Sequence, residues 1–135
     1  MAYEGQQIKI PGLTASADLS AAGNQYKFVL LSGEGTVNVC SAATDKPIGV
    51  LQNRPASGEA ADVVCIGVTK IQGDADLNYG DQIGTSSDGQ ADAKTYGTDK
   101  TESVVGRVIV GNTTAAGLIT AVINCAFAEL AVTSA

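Results

Sequence analysis

Between Pro47 and Ile71 the chain reads as a strand, a compact connection and a second, longer strand. Ile48 to Leu51 is short and apolar. Pro55 pushes Arg54 out of the helical region, and Gly58 supplies a permissive turn position. From Asp62 to Ile71 the residues Val63, Val64, Cys65, Ile66, Val68, Thr69 and Ile71 are β-branched or apolar, which suits a pleated, largely covered surface. A chain that commits its middle to this arrangement is set towards an all-β fold.

The rest of the sequence repeats the theme. Tyr26 to Leu31 is apolar and leads into the turn Ser32-Gly33-Glu34-Gly35, and Thr36 to Cys40 alternates with Val37 and Val39 on one face. Tyr79-Gly80-Asp81 is a turn signal. Ile83 to Thr85 and Gln90 to Ala93 bracket Ser86-Ser87-Asp88-Gly89, whose Asp-Gly pair is a strong hairpin signal. Val104 to Val110 and Leu118 to Phe127 are further strands, and in the latter Ile119, Ile123, Cys125 and Phe127 share one parity and are expected to face the core together. Helical periodicity is weak everywhere, with at most a turn or two expected in Ala15 to Ala22. Strands at this spacing, joined by turns drawn from 16 glycines, predict a small β-barrel or β-sandwich.

With 135 residues the chain has the length of one domain. Two Phe, four Tyr and no Trp leave the core to Val, Ile, Leu and Ala. Residues 1–17 differ in character from the rest of the chain. Gln6-Gln7-Ile8-Lys9-Ile10 alternates polar and apolar before Pro11-Gly12 breaks it, and Thr14 to Ala17 is small and polar. This segment is either a terminus or first strand of the domain, or an arm that orders on a partner by strand addition. The expected organisation is an extended N-terminal arm at 1–17, a β-rich domain at 18–127 and a short C-terminal tail at 128–135.

Function classes fall away on residue chemistry. With no His, neither a Ser-His-Asp nor a Cys-His arrangement can be built from this chain alone, and no Ser-x-x-Lys spacing occurs. The acidic residues lack the aromatic or polar company of a sugar cleft. Gly33-x-Gly35 has neither a third Gly nor a following helix, so it is a turn and not a dinucleotide site. Asp74, Asp76 and Asn78 alternate like the start of a calcium loop, but Tyr79 stands where Gly is required and Thr85 where the bidentate Glu belongs. No catalytic residue, metal or cofactor is expected, and the chain reads as no enzyme.

The net charge of −6, with Lys and Arg scattered singly, offers no basic patch for nucleic acid. No apolar run is long enough for a membrane span, and Met1 to Gly5 lacks the features of a signal peptide. Cys40, Cys65 and Cys125 are an odd number at wide spacings, each inside a strand-like run. They are expected to be reduced core residues of a protein assembled in a cytoplasm.

Three groups of residues carry a family resemblance. The run Gly49-Val50-Leu51-Gln52-Asn53-x-Pro55-x-x-Gly58-Glu59-Ala60-Ala61, then Gly67-x-x-Lys70, is the first. Gly80-Asp81-x-Ile83 with Ser87-Asp88-Gly89-Gln90-Ala91 is the second. Val105-Gly106-Arg107-Val108 with Ala116-Gly117-Leu118-Ile119 is the third. Their order and spacing, over about Asp18 to Phe127, resemble the capsid decoration (cement) proteins of tailed bacteriophages. The resemblance implies a β-tulip-like body on the outer capsid surface of a virion, often as a homotrimer, assembled in the host cytoplasm. It implies the major capsid protein and further copies of the chain as partners. On this reading Tyr3, Ile8, Ile10 and Leu13 of the arm are candidate capsid contacts, and Arg54, Glu59 and Lys70 are candidate subunit contacts. The alternatives are another virion structural protein, such as a head fibre base or tail-tube subunit, and a carbohydrate-binding module, which the aromatic content of 4% disfavours.

Overall fold

A computed structural model describes residues 2–127 and 129–132. Twelve strands follow one another: β1 (Gln7–Lys9), β2 (Thr14–Ala15), β3 (Phe28–Gly33), β4 (Thr36–Val39), β5 (Gly49–Leu51), β6 (Val63–Gln72), β7 (Gln82–Thr85), β8 (Ala91–Ala93), β9 (Ser103–Val104), β10 (Gly106–Val110), β11 (Leu118–Asn124) and β12 (Glu129–Leu130). Among the described residues the only helical element is a single 3-10 turn at Ala22–Asn24, so the turn expected within Ala15 to Ala22 forms later and shorter. Ala15 is taken instead by β2, which is the stronger competitor because it pairs with β4. No helix of the described residues is long and apolar enough to cross a membrane.

Ten strands form one sheet in the order β2, β4, β3, β5, β6, β11, β10, β7, β8, with β1 added along β6, and β9 and β12 form a separate pair. The fold is a sandwich-like, single all-β domain. It does not close into a barrel, because β2 and β8 remain ends of the order. The sheet nevertheless turns back on itself. Phe28 at the start of β3 donates its N–H to Gly89 in the β7–β8 turn at 2.8 Å, and Gly73, just after β6, bridges Ala91.

β6 is the axis of the molecule. Its first residues pair with β5 (Val50↔Val64, Leu51↔Val63), and Ile66–Gln72 pair with β11 over seven residues. Alternation follows from the pleat. Ile71 and Thr69 of β6 lie opposite Ile119 and Ala121 of β11, and all four are buried. Ile71, Ile119 and Ala121 join Phe28, Val50, Val64, Ile83, Val108, Ile123 and the three cysteines in the larger core cluster. A second cluster gathers Leu13, Ala15, Leu19, Val29, Val37, Leu51, Ala61 and Val63. Cys40, Cys65 and Cys125 are all free thiols, buried as the sequence suggests.

The Asp88-Gly89 signal produces the hairpin it promised: Thr85 faces Ala91 across it, and Gly89 takes φ +82°. A side chain there would be strained by that φ and would also collide with Val39 and with the carbonyl oxygen of Phe28.

Two expectations fail at the ends of the chain. Phe127 does not join Ile119, Ile123 and Cys125 in the core; it is 85% exposed. Strand β11 stops at Asn124, whose side-chain carbonyl accepts the N–H of Ala126 in a local turn, so the pleat no longer governs Phe127. The segment expected as a tail is tied down where it is described. Glu129–Leu130 pair with Ser103–Val104, and Ala131 is fully buried, with its N–H bonded to the Glu102 carbonyl. Residues 128 and 133–135 of that segment lie outside the described residues.

Candidate interaction surface

The N-terminal segment lies on the body and does not extend away from it. β1 runs antiparallel to β6, with Gln7 opposite Gly67 and Ile8 opposite Ile66. Hydrogen bonds continue beyond the strand: Gly5 N–H to Val68 O (3.0 Å), Val68 N–H to Gln6 O (3.0 Å) and Ile10 N–H to Val63 O (3.1 Å). Tyr3 then reaches β11, donating its N–H to Thr120 Oγ1 at 2.7 Å. Gly67 makes this possible. It has φ +135°, and a Cβ there would overlap the Gln6 carbonyl oxygen and sit 2.8 Å from Gln7 Cα. Only glycine lets the two backbones come so close.

Of the four arm residues singled out in the sequence, this docking leaves two on the surface. Ile8 is 61% exposed and Tyr3 45%. Ile10 packs against both core clusters, and Leu13 is buried in the second. Leu13 is therefore corrected from a capsid contact to a core residue. Its backbone carbonyl accepts the Ala61 N–H at 2.9 Å, which holds this part of the segment against the body, and its side chain packs in the cluster with Val29, Val37 and Leu51.

The connection from Gln52 to Asp62 is the anchor for this segment. Asn53 closes it from within, its amide donating to Ala60 O (3.0 Å) and its side-chain oxygen accepting from Asp62 N–H (3.0 Å). Glu59 accepts the Ala56 N–H at 2.7 Å, and Gly58 N–H donates to Ala15 O at 2.8 Å. Arg54 reaches across to donate its Nε–H to Ser20 O at 2.9 Å. Glu59 thus holds its own loop and Arg54 ties that loop to Ser20, although neither side chain is buried. Lys70 stands apart from them, its ammonium 5.8 Å from the centre of the Tyr26 ring. The three residues do not form one constellation.

A surface that sequence reasoning missed lies at the other end of β11. Val122, Phe127, Val104, Tyr96, Arg107 and Glu129 line a shallow groove of about 310 Å³. The signal available was Asn124, a turn-forming residue that ends the alternation before Phe127. Tyr79, at the tip of the turn before β7, is 84% exposed and adds a separate apolar point.

The acidic residues gather elsewhere. Burial, then the charges of Asp88 and Asp92, raise the pKa of Asp74 above its ordinary 3.8, with Lys94 opposing them. Lys94 itself is buried, donating to Thr85 O (2.9 Å), Asp92 Oδ2 (3.2 Å) and the Glu102 carboxylate. Asp76 and Asn78 take no part in this cluster. Asp81 instead accepts the Asn78 N–H at 2.9 Å, which makes the calcium-like stretch a self-closed turn. Among the described residues no three His, Cys, Asp or Glu side chains converge as a metal site would require.

The sequence matches no protein-family model and no curated protein. Its fold, however, is similar to a solved one, the crystal structure of the head fibre gp8.5 N base in bacteriophage phi29. The TM-score is 0.63 at 17% identity, over 89% of this chain and 96% of that one. The two chains share an architecture over nearly their whole lengths. At that identity the likeness extends to the fold and not to particular residues.

Proposed function

We propose that this chain is a structural protein of a tailed-phage head, bound on the outer surface of the shell as a decoration protein that bridges capsid subunits. The observation that carries the reading is the similarity in fold to the base of a phage head fibre, over 89% of the chain. The three sequence signatures support the same assignment. The physical role follows from geometry and not from chemistry. A packaged genome presses the shell outward, and a protein seated across neighbouring subunits must be detached before they separate. In a closed homotrimer, three equivalent weak contacts act at high effective concentration. Tyr3 and Ile8 supply exposed apolar contacts on the N-terminal side, and the groove around Phe127 supplies a second surface.

A second reading has its own support, since the similar structure is itself a fibre base: this chain would then seat a fibre on the head. One experiment separates the readings. A lysate of cells producing the encoding phage is fractionated on a density gradient, and the particles carrying the protein are imaged by electron cryomicroscopy. Many copies on DNA-filled heads, including tailless ones, with density close against the shell, support decoration. Density continuing outward as a fibre supports the base reading. Recovery only with tails, or only in soluble fractions, overturns both.

A further inference from the structure

The seven-residue register of β6 and β11 ends at Asn124↔Ile66, and one step further it places Cys125 opposite Cys65. The step is real, because Cys125 donates its N–H to the Cys65 carbonyl at 3.0 Å. Residues opposed in this way have Cα atoms about 5.5 Å apart, inside the range of about 4.4–6.8 Å that a disulfide spans. Both belong to the inward parity that includes Thr69, Ile71, Ile119, Ala121 and Ile123, so their side chains enter the same core cluster. The third cysteine, Cys40, is set by a different strand pairing, its backbone N–H donating to the Phe28 carbonyl at 3.1 Å. Cys125 also lines a surface hollow with Leu31, Lys46, Pro47, Ile48 and Ala126, which gives a small reagent a way to it.

We propose that Cys65 and Cys125 are a redox-active pair that closes into an intramolecular disulfide between β6 and β11 by exchange with small-molecule disulfides. In the first step the Cys125 thiolate attacks one sulfur of the small disulfide, forming a mixed disulfide and expelling one thiolate. In the second, the Cys65 thiolate attacks the Cys125 sulfur and expels the other. The two protons lost by the cysteines pass to the two released thiolates. The protein is oxidised by two electrons and the small disulfide is reduced to two thiols. Burial raises the pKa of both thiols, so exchange is slow at neutral pH and quickens as the pH rises. A reducing cytoplasm leaves the pair open, and an oxidising exterior closes it. Closure ties the last long strand to the central one and encloses everything from β7 to β10 in a covalent loop. Facing positions that share a backbone hydrogen bond set their Cβ atoms wider than a relaxed disulfide prefers, so the bond is expected to reduce readily.

The test uses full-length protein, wild type and Cys40→Ser, held at pH 8.5 with excess 2-hydroxyethyl disulfide. Afterwards the protein is denatured, its thiols are alkylated and its mass is read. The expected result is one alkylatable thiol in wild type and none in Cys40→Ser. Both proteins stay monomeric, lighter by two hydrogen atoms each, with a Cys65–Cys125 cross-linked peptide. The melting temperature of the oxidised form rises by about 5 °C or more, and dithiothreitol reverses the change. Two free thiols in treated Cys40→Ser would overturn the proposal, as would stable mixed adducts or a cross-link through Cys40 in wild type. Cys40→Ser keeps nearly the same side-chain shape, so the variant is expected to fold, and the wild-type arm reads the same pair without it.

Discussion

Gly67 shows how one residue settles the position of a whole segment. The backbone of Gln6 and Gln7 fills the space where its side chain would stand, and its φ of +135° is closed to other residues at ordinary cost. Gly67→Ala is expected to destabilise the fold by about 1–3 kcal/mol in denaturant unfolding. It should also release residues 5–9 to fast amide exchange while β11 stays protected. Asp74 makes a second residue-scale prediction, of opposite sign. Its folded-state pKa lies above 3.8, so the folded protein keeps a proton over a pH range in which the unfolded chain has lost it. The contribution to stability is then greatest below pH 3.8, declines as the pH rises to the folded value, and stays low above that. Asp74→Asn is expected to melt higher than wild type at pH 7, and the advantage should disappear in melts taken below pH 3.8. An advantage that persisted in acid would assign the effect to packing and not to the cost of a partly buried charge beside Asp88 and Asp92.

At the scale of elements, Lys94 fastens the β7–β8 hairpin to the loop that leads into β9. Its fully buried ammonium is held by Thr85, Asp92 and Glu102. Lys94→Ala removes the stem and leaves the two carboxylates facing each other, and is expected to cost about 3 kcal/mol. That is the low end for a broken buried pair, because Asp92 and Glu102 keep some solvent. Lys94→Met retains the stem and should cost less, a difference that denaturant melts of the two variants would read. Nothing in the sequence marked Lys94, because a lysine at a strand end ordinarily points to water, and of its partners Thr85 and Glu102 come from two other segments. What could be read was local. Asp88-Gly89 fixed a turn, the β-branched run from Val63 fixed β6, and the apolar settings of the cysteines put them in the core. What could not be read depended on pairing between distant segments. Glu129–Leu130 becomes a strand only against Ser103–Val104, and the alternation at Gln6–Ile10 allowed a first strand without showing that it would lie in the gap at Gly67. The signature from Gln52 to Asp62 was visible as a motif, but its work was not. Asn53 and Glu59 close the loop on itself, and Gly58 and Ala61 hold the N-terminal segment against it.

Taken whole, the molecule buries its reactive side chains and leaves several large apolar ones on its surface. Its cysteines are inside, the buried Lys94 cation is paired, and the three most exposed large apolar side chains among the described residues, Phe127, Tyr79 and Ile8, stand at separate places. An ordinary soluble domain has single exposed apolar residues, so exposure alone argues little. Phe127 differs because it borders a groove that also contains Val104, Val122, Arg107 and Glu129, a mixture of apolar floor and opposite charges suited to a protein partner. If that groove holds the chain to the head or to its own copies, Phe127→Ser should separate function from folding. Its side chain supports no core contact, so the melting behaviour of the isolated protein should stay within about 0.5 kcal/mol of wild type. Its occupancy on purified heads, measured as copies per particle in a binding titration, should fall by about tenfold or more, as for a central aromatic contact worth over about 1 kcal/mol. The matched variant Ile8→Ser probes the N-terminal surface in the same titration. A loss in one variant alone names the side that faces the shell. Losses in both place the two surfaces at different contacts of one assembly, and full occupancy in both would remove these faces from the interface altogether.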